Sequence, residues 1–260
     1  MADTITKALV TAAGLGTRMR PLTLAVPKEL LPLGSKPVLH RVLDELAAGG
    51  IEEGAIAVSP RNPAMRHYLE SVPLPLRITF VYQLDSLGLG DAVRCGRQFV
   101  GEEPFLLALG DCLIDSPEPG GPIRRLRCAA QRCGHTCVLC EDVPRHLVEL
   151  YGVLAPSEEP GELFRFADVV EKPPAERAPS SLVIAARYVL TNDIFHALEQ
   201  TPLDHLGELP LAQAIGRMAR SGVPCSAVRL LPEETRLDIG SFESYSQAFQ
   251  LLAERDQRIK

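Results

Sequence analysis

Short apolar runs alternate with amphipathic stretches through the first 141 residues. Four runs predict strands because they are short, apolar and bounded by polar or turn-forming residues; they cover 7–12, 54–59, 77–83 and 104–111. Three stretches between them carry apolar residues at helical spacing and predict helices; they cover 36–50, 63–71 and 89–99. This alternation predicts an α/β fold with a doubly wound, mostly parallel mixed sheet.

The pattern changes after residue 141, once a helix over 122–133 and a strand over 135–142 have been predicted. The later segments predict strands at 150–156, 162–173, 181–190 and 224–231, and helices at 191–199, at 210–221 and from about 241. Strands now follow one another with little helix between them. We therefore expect a single domain over 1–260, in which a first half, 1–141, is followed by a smaller, more antiparallel half, 142–260, that covers the same cleft.

Composition and charge narrow the class of protein. The chain has 260 residues, of which 46% are hydrophobic and 23% charged, and its net charge is −6. These values are typical of a soluble globular protein and argue against nucleic acid or an anionic membrane as the main partner. The chain has no apolar run of the ~20 residues that a membrane helix needs, and the first residues, Met-Ala-Asp-Thr, do not resemble a signal peptide. We expect a cytoplasmic protein.

Four cysteines and a histidine lie close together in the sequence: Cys128, Cys133, His135, Cys137 and Cys140. A zinc site is one interpretation. Ordinary core cysteines fit better, because Cys137 and Cys140 would point to opposite faces of the predicted strand and small buried cysteines are common. Reduced thiols also suit a cytosolic chain.

The segment that follows the first predicted strand, "AAGLGTRMRPLTLAVPK" (12–28), has the composition of a phosphate-binding loop. Gly14 and Gly16 let backbone amides approach phosphate oxygens, and no acidic residue occurs between Thr4 and Lys28. Lys28 stands out because the chain has only five lysines among its 27 basic residues. The third glycine of a dinucleotide fingerprint is missing and no G-K-[ST] follows, so an NAD site and a P-loop are disfavoured.

The longer segment "AAGLGTRMRPLTLAVPKELLPLGSKP" resembles the signature of the sugar-1-phosphate nucleotidylyltransferases, and is most similar to bacterial UTP–glucose-1-phosphate uridylyltransferases. Further pieces of the resemblance recur in order, namely "YQLDSLGLGDAV", "LGDCLID", "YGVL", "VVEKP", "RYVL" and "LDIGSFESYSQAF". The resemblance implies a Rossmann-like nucleotidyltransferase fold with a smaller sugar-binding subregion. It also implies that a sugar-1-phosphate oxygen attacks the α-phosphorus of a nucleoside triphosphate, with UTP favoured, and that pyrophosphate leaves.

The resemblance implies nucleotide-binding and metal-binding residues. Arg18 would hold the triphosphate tail and Lys28 would contact the α-phosphate. Asp111 and Asp238 would share Mg²⁺, which takes few protein carboxylates and keeps other positions for water and phosphate. Gln83 would pair with uracil or thymine, since its amide offers a donor and an acceptor. The remaining nucleotide contacts would come from Ala13, Gly14, Gly16, Thr17 and Gly88.

The sugar-phosphate site implied by the resemblance comprises Tyr151, Gly152, Glu171, Lys172 and Ala186. Glu171 would accept bonds from sugar hydroxyls, and Lys172 would act as a catalytic cation on the sugar phosphate. Adjacent residues of a regular strand point to opposite faces, so both serve one site only if the backbone bends there. Pro173 and Pro174 make such a bend plausible.

Two departures from the family concern the sugar side. Ala186 stands where the family has Gly, and "ELPLAQAI" replaces E-x-Q-L-T-D-A, with Pro210, Ala212 and Gln213 at the altered positions. We therefore expect an active enzyme for which the choice of sugar stays open: glucose 1-phosphate, a modified sugar 1-phosphate or a cyclitol phosphate. dTTP in place of UTP also stays open, as does a homo-oligomer.

Two other classes of protein compete with this expectation. One is a non-catalytic nucleotide-sugar sensor of the same fold, which loss of Arg18, Lys28 or a metal aspartate would favour, and none is lost. The other is a dinucleotide-dependent oxidoreductase, which needs an acidic residue at the end of the second strand, where this chain has Ser59-Pro60.

Overall fold

The structure, a computed structural model, describes residues 5–258. The amino-terminal Met-Ala-Asp-Thr and Lys260 therefore lie outside the described residues. The strands are β1 Lys7–Ala12, β2 Pro32–Leu33, β3 Lys36–Pro37, β4 Glu53–Val58, β5 Arg77–Tyr82, β6 Phe105–Leu109, β7 Cys112–Asp115, β8 Thr136–Asp142, β9 Gly152–Pro156, β10 Leu163–Glu171, β11 Leu182–Leu190, β12 Cys225–Arg229 and β13 Thr235–Asp238. The α-helices are α1 Leu22–Ala25, α2 Val38–Ala48, α3 Pro63–Ser71, α4 Leu89–Cys95, α5 Arg97–Val100, α6 Gly121–Cys133, α7 Asp193–Gln200, α8 Leu211–Arg220 and α9 Phe242–Arg258.

Within the described residues, nine strands form one mixed sheet in the order β5-β4-β1-β6-β11-β8-β12-β10-β9. The pairs β5–β4, β4–β1, β1–β6 and β8–β12 are parallel. Only β11 and β10 run against the other seven strands, because each pairs antiparallel with its neighbours. The prediction of a doubly wound, mostly parallel mixed sheet is confirmed.

Helices cover both faces of this sheet, because its strands direct apolar residues to both faces. Leu9 and Leu107 pack on one face with residues of α4, α7 and α8. Val10 and Leu106, their neighbours in sequence, pack on the other face with residues of α2, α3 and α6. Cys140 belongs to the first cluster and Cys137 to the second, so the prediction that these thiols face opposite sides is confirmed.

Two predicted helices differ in detail from the structure. The helix predicted over 36–50 begins at Val38, because Lys36–Pro37 pairs antiparallel with Pro32–Leu33 in a small hairpin. The helix predicted over 89–99 is divided into α4 and α5 at Gly96. A side chain at this position would collide with Leu9, since an added Cβ would lie 2.6 Å from its Cδ2. Gly96 therefore lets the chain pass close to β1.

A second, two-stranded sheet of β7 and β13 lies at the carboxyl end of β6 and was not predicted. Asp238 of β13 pairs with Cys112 of β7. Helix α9 packs against this sheet through Ala248 and Leu252, which share a buried cluster with Ile239. The last helix thus supports the strand that carries Asp238. Within residues 5–258, the helices are all too short or too polar to cross a membrane.

Candidate active site

The glycine-rich loop leaves β1 and folds closely around the lysine that follows it. An added Cβ on Gly14 would lie 3.3 Å from Lys28 Cε, so the absence of a side chain at residue 14 gives the lysine room to cross the loop. Gly16 has φ +59°, and an added Cβ there would lie 2.8 Å from Thr23 Cγ2. Thr23 Oγ1 donates to the Gly16 carbonyl oxygen at 2.8 Å, which fixes the exit of the loop.

Lys28 and Asp111 form a partly buried ion pair at the carboxyl end of β6. Burial on its own would lower the pKa of Lys28, but the charges of Asp111 and Glu29 raise it above the usual value. Burial on its own would raise the pKa of Asp111, but Lys28 holds it below the usual value. Both groups are therefore charged at neutral pH.

Glu29 is a third ionisable group beside this pair, and it was not among the residues expected to form the site. It is only 2% exposed and contributes to the first cavity described below. Burial raises its pKa to about 7, although the charge of Lys28 acts in the opposite direction. The sequence signal that could have identified it is its position directly after Lys28, within the segment that resembles the family signature.

Asp238 lies next to Asp111, as the resemblance implied. Ile239 N donates to the Asp111 carbonyl oxygen at 3.2 Å, and burial together with the charge of Asp111 raises the pKa of Asp238. The guanidinium of Arg18 is close by, because an added Cβ on Gly240 would lie 3.0 Å from Arg18 Nη2 and 3.2 Å from Asp238 Oδ1. Two neighbouring, partly buried carboxylates fit the oxygen ligands that Mg²⁺ prefers.

The first of two adjoining cavities has a volume of about 330 Å³. Its lining includes most residues expected to bind nucleotide, namely Ala13, Gly14, Gly16, Thr17, Lys28, Gln83, Gly88 and Asp111. Gly88 has φ +88°, and an added Cβ there would lie 2.8 Å from Glu208 Cβ. Glycine at residue 88 therefore allows the loop before α4 to pack against the segment before α8.

The second cavity, of about 510 Å³, contains the residues expected to bind the sugar phosphate: Tyr151, Gly152, Glu171, Lys172 and Ala186. Arg18 and Asp238 also line it, so the structure places Arg18 on this side of Asp111 and not in the first cavity. Leu89, Leu109, Asp111 and Glu208 line both cavities. Asp111 thus lies where the two cavities meet.

The backbone bends between Glu171 and Lys172, as a shared site for both side chains requires. Lys172 has φ +45°, and its amide N–H donates to the Tyr151 carbonyl oxygen at 2.9 Å. Lys172 Nζ then lies 3.2 Å from Glu171 Oε1. The two side chains therefore share the second cavity although they are adjacent in sequence.

Ala186 also has a left-handed backbone conformation, with φ +58°. It lies where the pairing of β11 with β8 shifts register, between Ile184 and Tyr188. This conformation gives a physical reason for glycine at the equivalent family position, because a Cβ is disfavoured there. Of the other altered residues, Pro210 and Ala212 line the second cavity, and the Ala212 Cβ would be 3.1 Å from a Cβ added to Gly152.

Residues that the sequence analysis missed complete both cavities. Tyr188, Asp204, Glu208 and Arg236 line the second cavity. The Arg236 guanidinium lies 4.0 Å from the centre of the Tyr151 ring, which orients this expected sugar-side residue. Asp91 contacts Gln83 from the first turn of α4. Its only signal in the sequence was its position within "LGLGDAV".

The cysteine cluster is only partly retained in space. One ligand atom each of Cys133, His135 and Cys137 lies within 4.8 Å of the others, whereas Cys140 is on the opposite face of the sheet. His135 Nε2 is already 2.9 Å from Ser226 Oγ. Burial, and then the neighbouring Cys133, raise the pKa of the Cys137 thiol, which favours a protonated thiol over a metal-binding thiolate.

Comparison with known proteins identifies the class. The family model described as nucleotidyl transferase matches residues 7–255, and the chain belongs to this family. A UTP–glucose-1-phosphate uridylyltransferase of Staphylococcus haemolyticus is 33% identical, with 98% of this chain and 95% of the relative covered. The enzyme of the same name from Bacillus subtilis is 33% identical, with 82% and 80% covered.

Solved structures agree with this assignment. A UDP-glucose pyrophosphorylase complexed with UDP-glucose superposes with a TM-score of 0.89 at 29% identity, and covers 96% of this chain and 99% of its own. A UTP-bound UGPase from Acinetobacter baumannii has a TM-score of 0.83 at 28% identity, with 98% of both chains covered. These matches confirm the α/β nucleotidyltransferase fold expected from the sequence.

Proposed function

We propose that this protein is a uridylyltransferase that joins UTP to glucose 1-phosphate, forming UDP-glucose and pyrophosphate with the aid of Mg²⁺. The observation that carries the proposal is the position of Asp111 where the two cavities meet, with Lys28 beside it in the first cavity and Asp238 in the second. A nucleotide in the first cavity and a sugar phosphate in the second would bring the α-phosphorus and the attacking oxygen together there. The names of the relatives support this choice of substrates.

The reaction needs positioning and charge neutralisation more than covalent help from the protein. A phosphate oxygen of glucose 1-phosphate forms a bond to the α-phosphorus of UTP, and the bond from that phosphorus to the pyrophosphate oxygen breaks. Pyrophosphate leaves with the electron pair. In this proposal Lys28 neutralises charge on the α-phosphate, while Arg18 and Lys172 act on the phosphates from the sugar side. Mg²⁺ on Asp111 and Asp238 would supply further positive charge to the phosphate oxygens.

Lys28 has a further part in the proposal because its ammonium is bound to Asp111 in the structure. Asp111 and Glu29 keep the lysine protonated and aimed into the first cavity. The α-phosphate is the group that would compete with Asp111 for this ammonium. Since the amine is held in place before the nucleotide binds, little side-chain entropy is lost in forming the new contact.

Gln83 and Glu171 would set the orientation of the two substrates. Gln83 lines the first cavity beside Gly88, where a flat base fits against glycine backbone. Glu171 faces the second cavity together with Lys172, so its carboxylate can accept hydroxyl hydrogens while the lysine approaches the phosphate. Pro210 and Ala212 have no side-chain hydroxyl or amide to offer a sugar in this cavity. The test below therefore includes modified sugar 1-phosphates.

We further propose that both halves belong to one domain and that the protein acts in the cytoplasm. The shared sheet supports the first statement. The second is supported by the seven cysteines, which all lie within the described residues and are free thiols, as is usual in a reducing compartment.

The deciding experiment measures pyrophosphate release from UTP, Mg²⁺ and a panel of sugar 1-phosphates. Glucose 1-phosphate should give turnover, and Lys28→Met should lower kcat/KM at least about a hundredfold, because the neutral side chain cannot offset phosphate charge. Lys36→Met is the matched control, since Lys36 is an exposed lysine paired with Asp44. Absence of pyrophosphate across the panel, with UTP still bound, would reject catalysis and favour the sensor.

A further inference from the structure

The amide of Gln83 has a fixed orientation in the first cavity. Gln83 Nε2 donates to the Gly88 carbonyl oxygen at 3.0 Å and to Asp91 Oδ2 at 2.9 Å. A backbone carbonyl and a carboxylate can only accept hydrogen bonds, so the amide nitrogen, and not the oxygen, must face them. Both hydrogens of this nitrogen are thereby used within the protein.

Asp91 is itself held in place. Its side chain is 7% exposed, and its second oxygen, Oδ1, accepts from Arg94 Nη2 at 2.6 Å. Arg94 lies three residues further along α4, so the contact is made within one helix. The carboxylate is therefore paired and oriented before any ligand arrives, because both of its oxygens already accept hydrogen bonds.

The sequence suggested that Gln83 would offer a donor and an acceptor to a base, but the structure leaves only the acceptor. With Nε2 committed to Gly88 and Asp91, the carbonyl oxygen Oε1 is the polar group that remains for a ligand of the cavity. Uracil and thymine present a donor at N3, whereas the N3 of cytosine is an acceptor. An acceptor facing an acceptor leaves both groups unpaired, which is costly in a buried pocket.

We propose that Asp91 is a positioning residue for base selection: it locks Gln83 with Oε1 towards the base, so that the cavity accepts a pyrimidine with an N3–H and rejects cytosine. This inference rests on the proposed function in one respect, namely that the first cavity binds the base of the nucleotide. Turning the amide by 180° would let it serve cytosine. The turned amide would direct its oxygen at the Asp91 carboxylate and the Gly88 carbonyl, and Asp91 contributes the larger, charged part of this penalty.

The test compares kcat/KM for UTP and for CTP at saturating glucose 1-phosphate. The wild type should prefer UTP, and Asp91→Ala should lower the UTP/CTP ratio about tenfold or more, since an amide that turns freely can serve either base. Asp91→Asn keeps the shape of the side chain but has one acceptor oxygen, which Arg94 would engage; its NH2 group would then face Gln83, so the ratio should fall as it does in Asp91→Ala. Asp85→Ala removes a carboxylate from an exposed position of the same loop and should leave the ratio unchanged.

A double substitution separates positioning from a general structural role. In a Gln83→Ala background no amide remains to be oriented, so adding Asp91→Ala should not change the UTP/CTP ratio further. The KM for glucose 1-phosphate should also stay constant, because Asp91 does not line the second cavity. If Asp91→Ala fails to fold, Asp91→Leu removes the same acceptor while filling the space, and the same loss of ratio is expected.

Three results would overturn the inference: a wild type that prefers CTP, an unchanged ratio in a folded Asp91→Ala or Asp91→Leu protein, or an equal effect of Asp91→Ala without Gln83. A wild type without turnover would instead contradict the proposed function. In that case calorimetric binding of UTP and CTP to the same variants still measures the ratio, and the expected changes are the same.

Discussion

Two residues other than glycine have a left-handed backbone among the residues that the structure describes, Lys172 with φ +45° and Ala186 with φ +58°. Both line the second cavity. This conformation costs a residue with a Cβ roughly 1–2 kcal/mol, and such costs are concentrated at functional sites. At Lys172 the bend turns two adjacent side chains into one cavity. At Ala186 it accompanies the register shift in β11.

Replacing Ala186 with glycine measures the backbone strain at this residue through the free energy of unfolding. We expect Ala186→Gly to raise the free energy of unfolding by about 1 kcal/mol, because glycine adopts this φ without steric cost. Ala185→Gly is the matched control: Ala185 is fully buried on the same strand and its φ is not positive, so glycine there should lower stability. Urea titrations of the three proteins measure the effect, and a loss of stability in both variants would contradict it.

The same substitution tests whether the Ala186 methyl group limits the sugar. Ala186 lines the second cavity, and one methylene-sized group changes discrimination by about ten- to two-hundredfold. We expect kcat/KM for glucose 1-phosphate to rise about tenfold in Ala186→Gly, the lower end of that range, with the KM for UTP unchanged. Initial rates with glucose 1-phosphate and one modified sugar 1-phosphate decide it. If the ratio of kcat/KM for the two sugars is the same in both proteins, Ala186 does not set the choice of sugar, and Pro210 and Ala212 become the residues to test.

Residues such as Lys28, Asp111 and Gln83 could be found from the sequence because the glycine-rich loop, the strand end and the family resemblance all marked them. Asp91 could not, since its contact with Gln83 depends on how a loop and the first turn of α4 meet. The left-handed φ of Ala186 was also hidden, because a strand pattern carries no information on a local register shift. Sequence reasoning thus identified the groups but not how neighbouring groups orient them.

At the level of elements, the short sheet of β7 and β13 depends on a buried ion pair behind it. Arg187 is 0% exposed at its side chain and Glu45 is 4% exposed. Arg187 Nη2 donates to the Cys112 carbonyl oxygen at 2.7 Å, and Glu45 Oε2 accepts from Ile114 N at 3.1 Å. The pair thus ties α2 and β11 to β7, whose partner strand carries Asp238. The contact thus supports the sheet beside Asp111 and Asp238, the two carboxylates proposed to bind Mg²⁺.

Breaking the pair on one side should therefore be costly. We expect Arg187→Met to lower the free energy of unfolding by about 3–5 kcal/mol, since it leaves the Glu45 charge buried without a partner. Arg187→Met combined with Glu45→Met should recover much of this loss. The exposed pair Arg97 and Glu199 gives the control, where Arg97→Met should cost less than about 1 kcal/mol. Urea titrations giving equal losses for the two arginine variants would contradict the role assigned to the buried pair.

The long elements could be predicted and the short ones could not, for a physical reason. Strands such as β1, β4 and β11 bury apolar residues over most of their length, which leaves a clear pattern. Each strand of the β7–β13 sheet has four residues, too few for periodicity to show. Their pairing joins segments more than a hundred residues apart. The meeting of Asp111 and Asp238 was accordingly implied by the resemblance, and not by the pattern.

For the molecule as a whole, the two halves share one sheet and are also joined by backbone hydrogen bonds outside it. The antiparallel pair β6–β11 joins strands of the two halves in the middle of the sheet. Two backbone hydrogen bonds also link the start of α4 and the loop before it to the segment before α8. Leu209 N donates to Leu87 O in the loop before α4 at 2.7 Å, and Gly90 N in the first turn of α4 donates to Leu209 O at 2.9 Å. The wall of the first cavity is thus attached to the second half of the chain.

This continuity should make the halves unfold together. The chain contains no tryptophan, so Phe80→Trp on β5 and Phe166→Trp on β10 each introduce a single fluorescent reporter in one half. Within each variant we expect the urea midpoint from fluorescence to coincide with that from circular dichroism, as a cooperative transition requires. UTP with Mg²⁺ at a hundred times its Kd should stabilise both variants by about 2.7 kcal/mol. A nucleotide effect seen by the Phe80→Trp reporter alone, or two separate transitions, would show instead that the halves are independent units and that the shared sheet does not couple them.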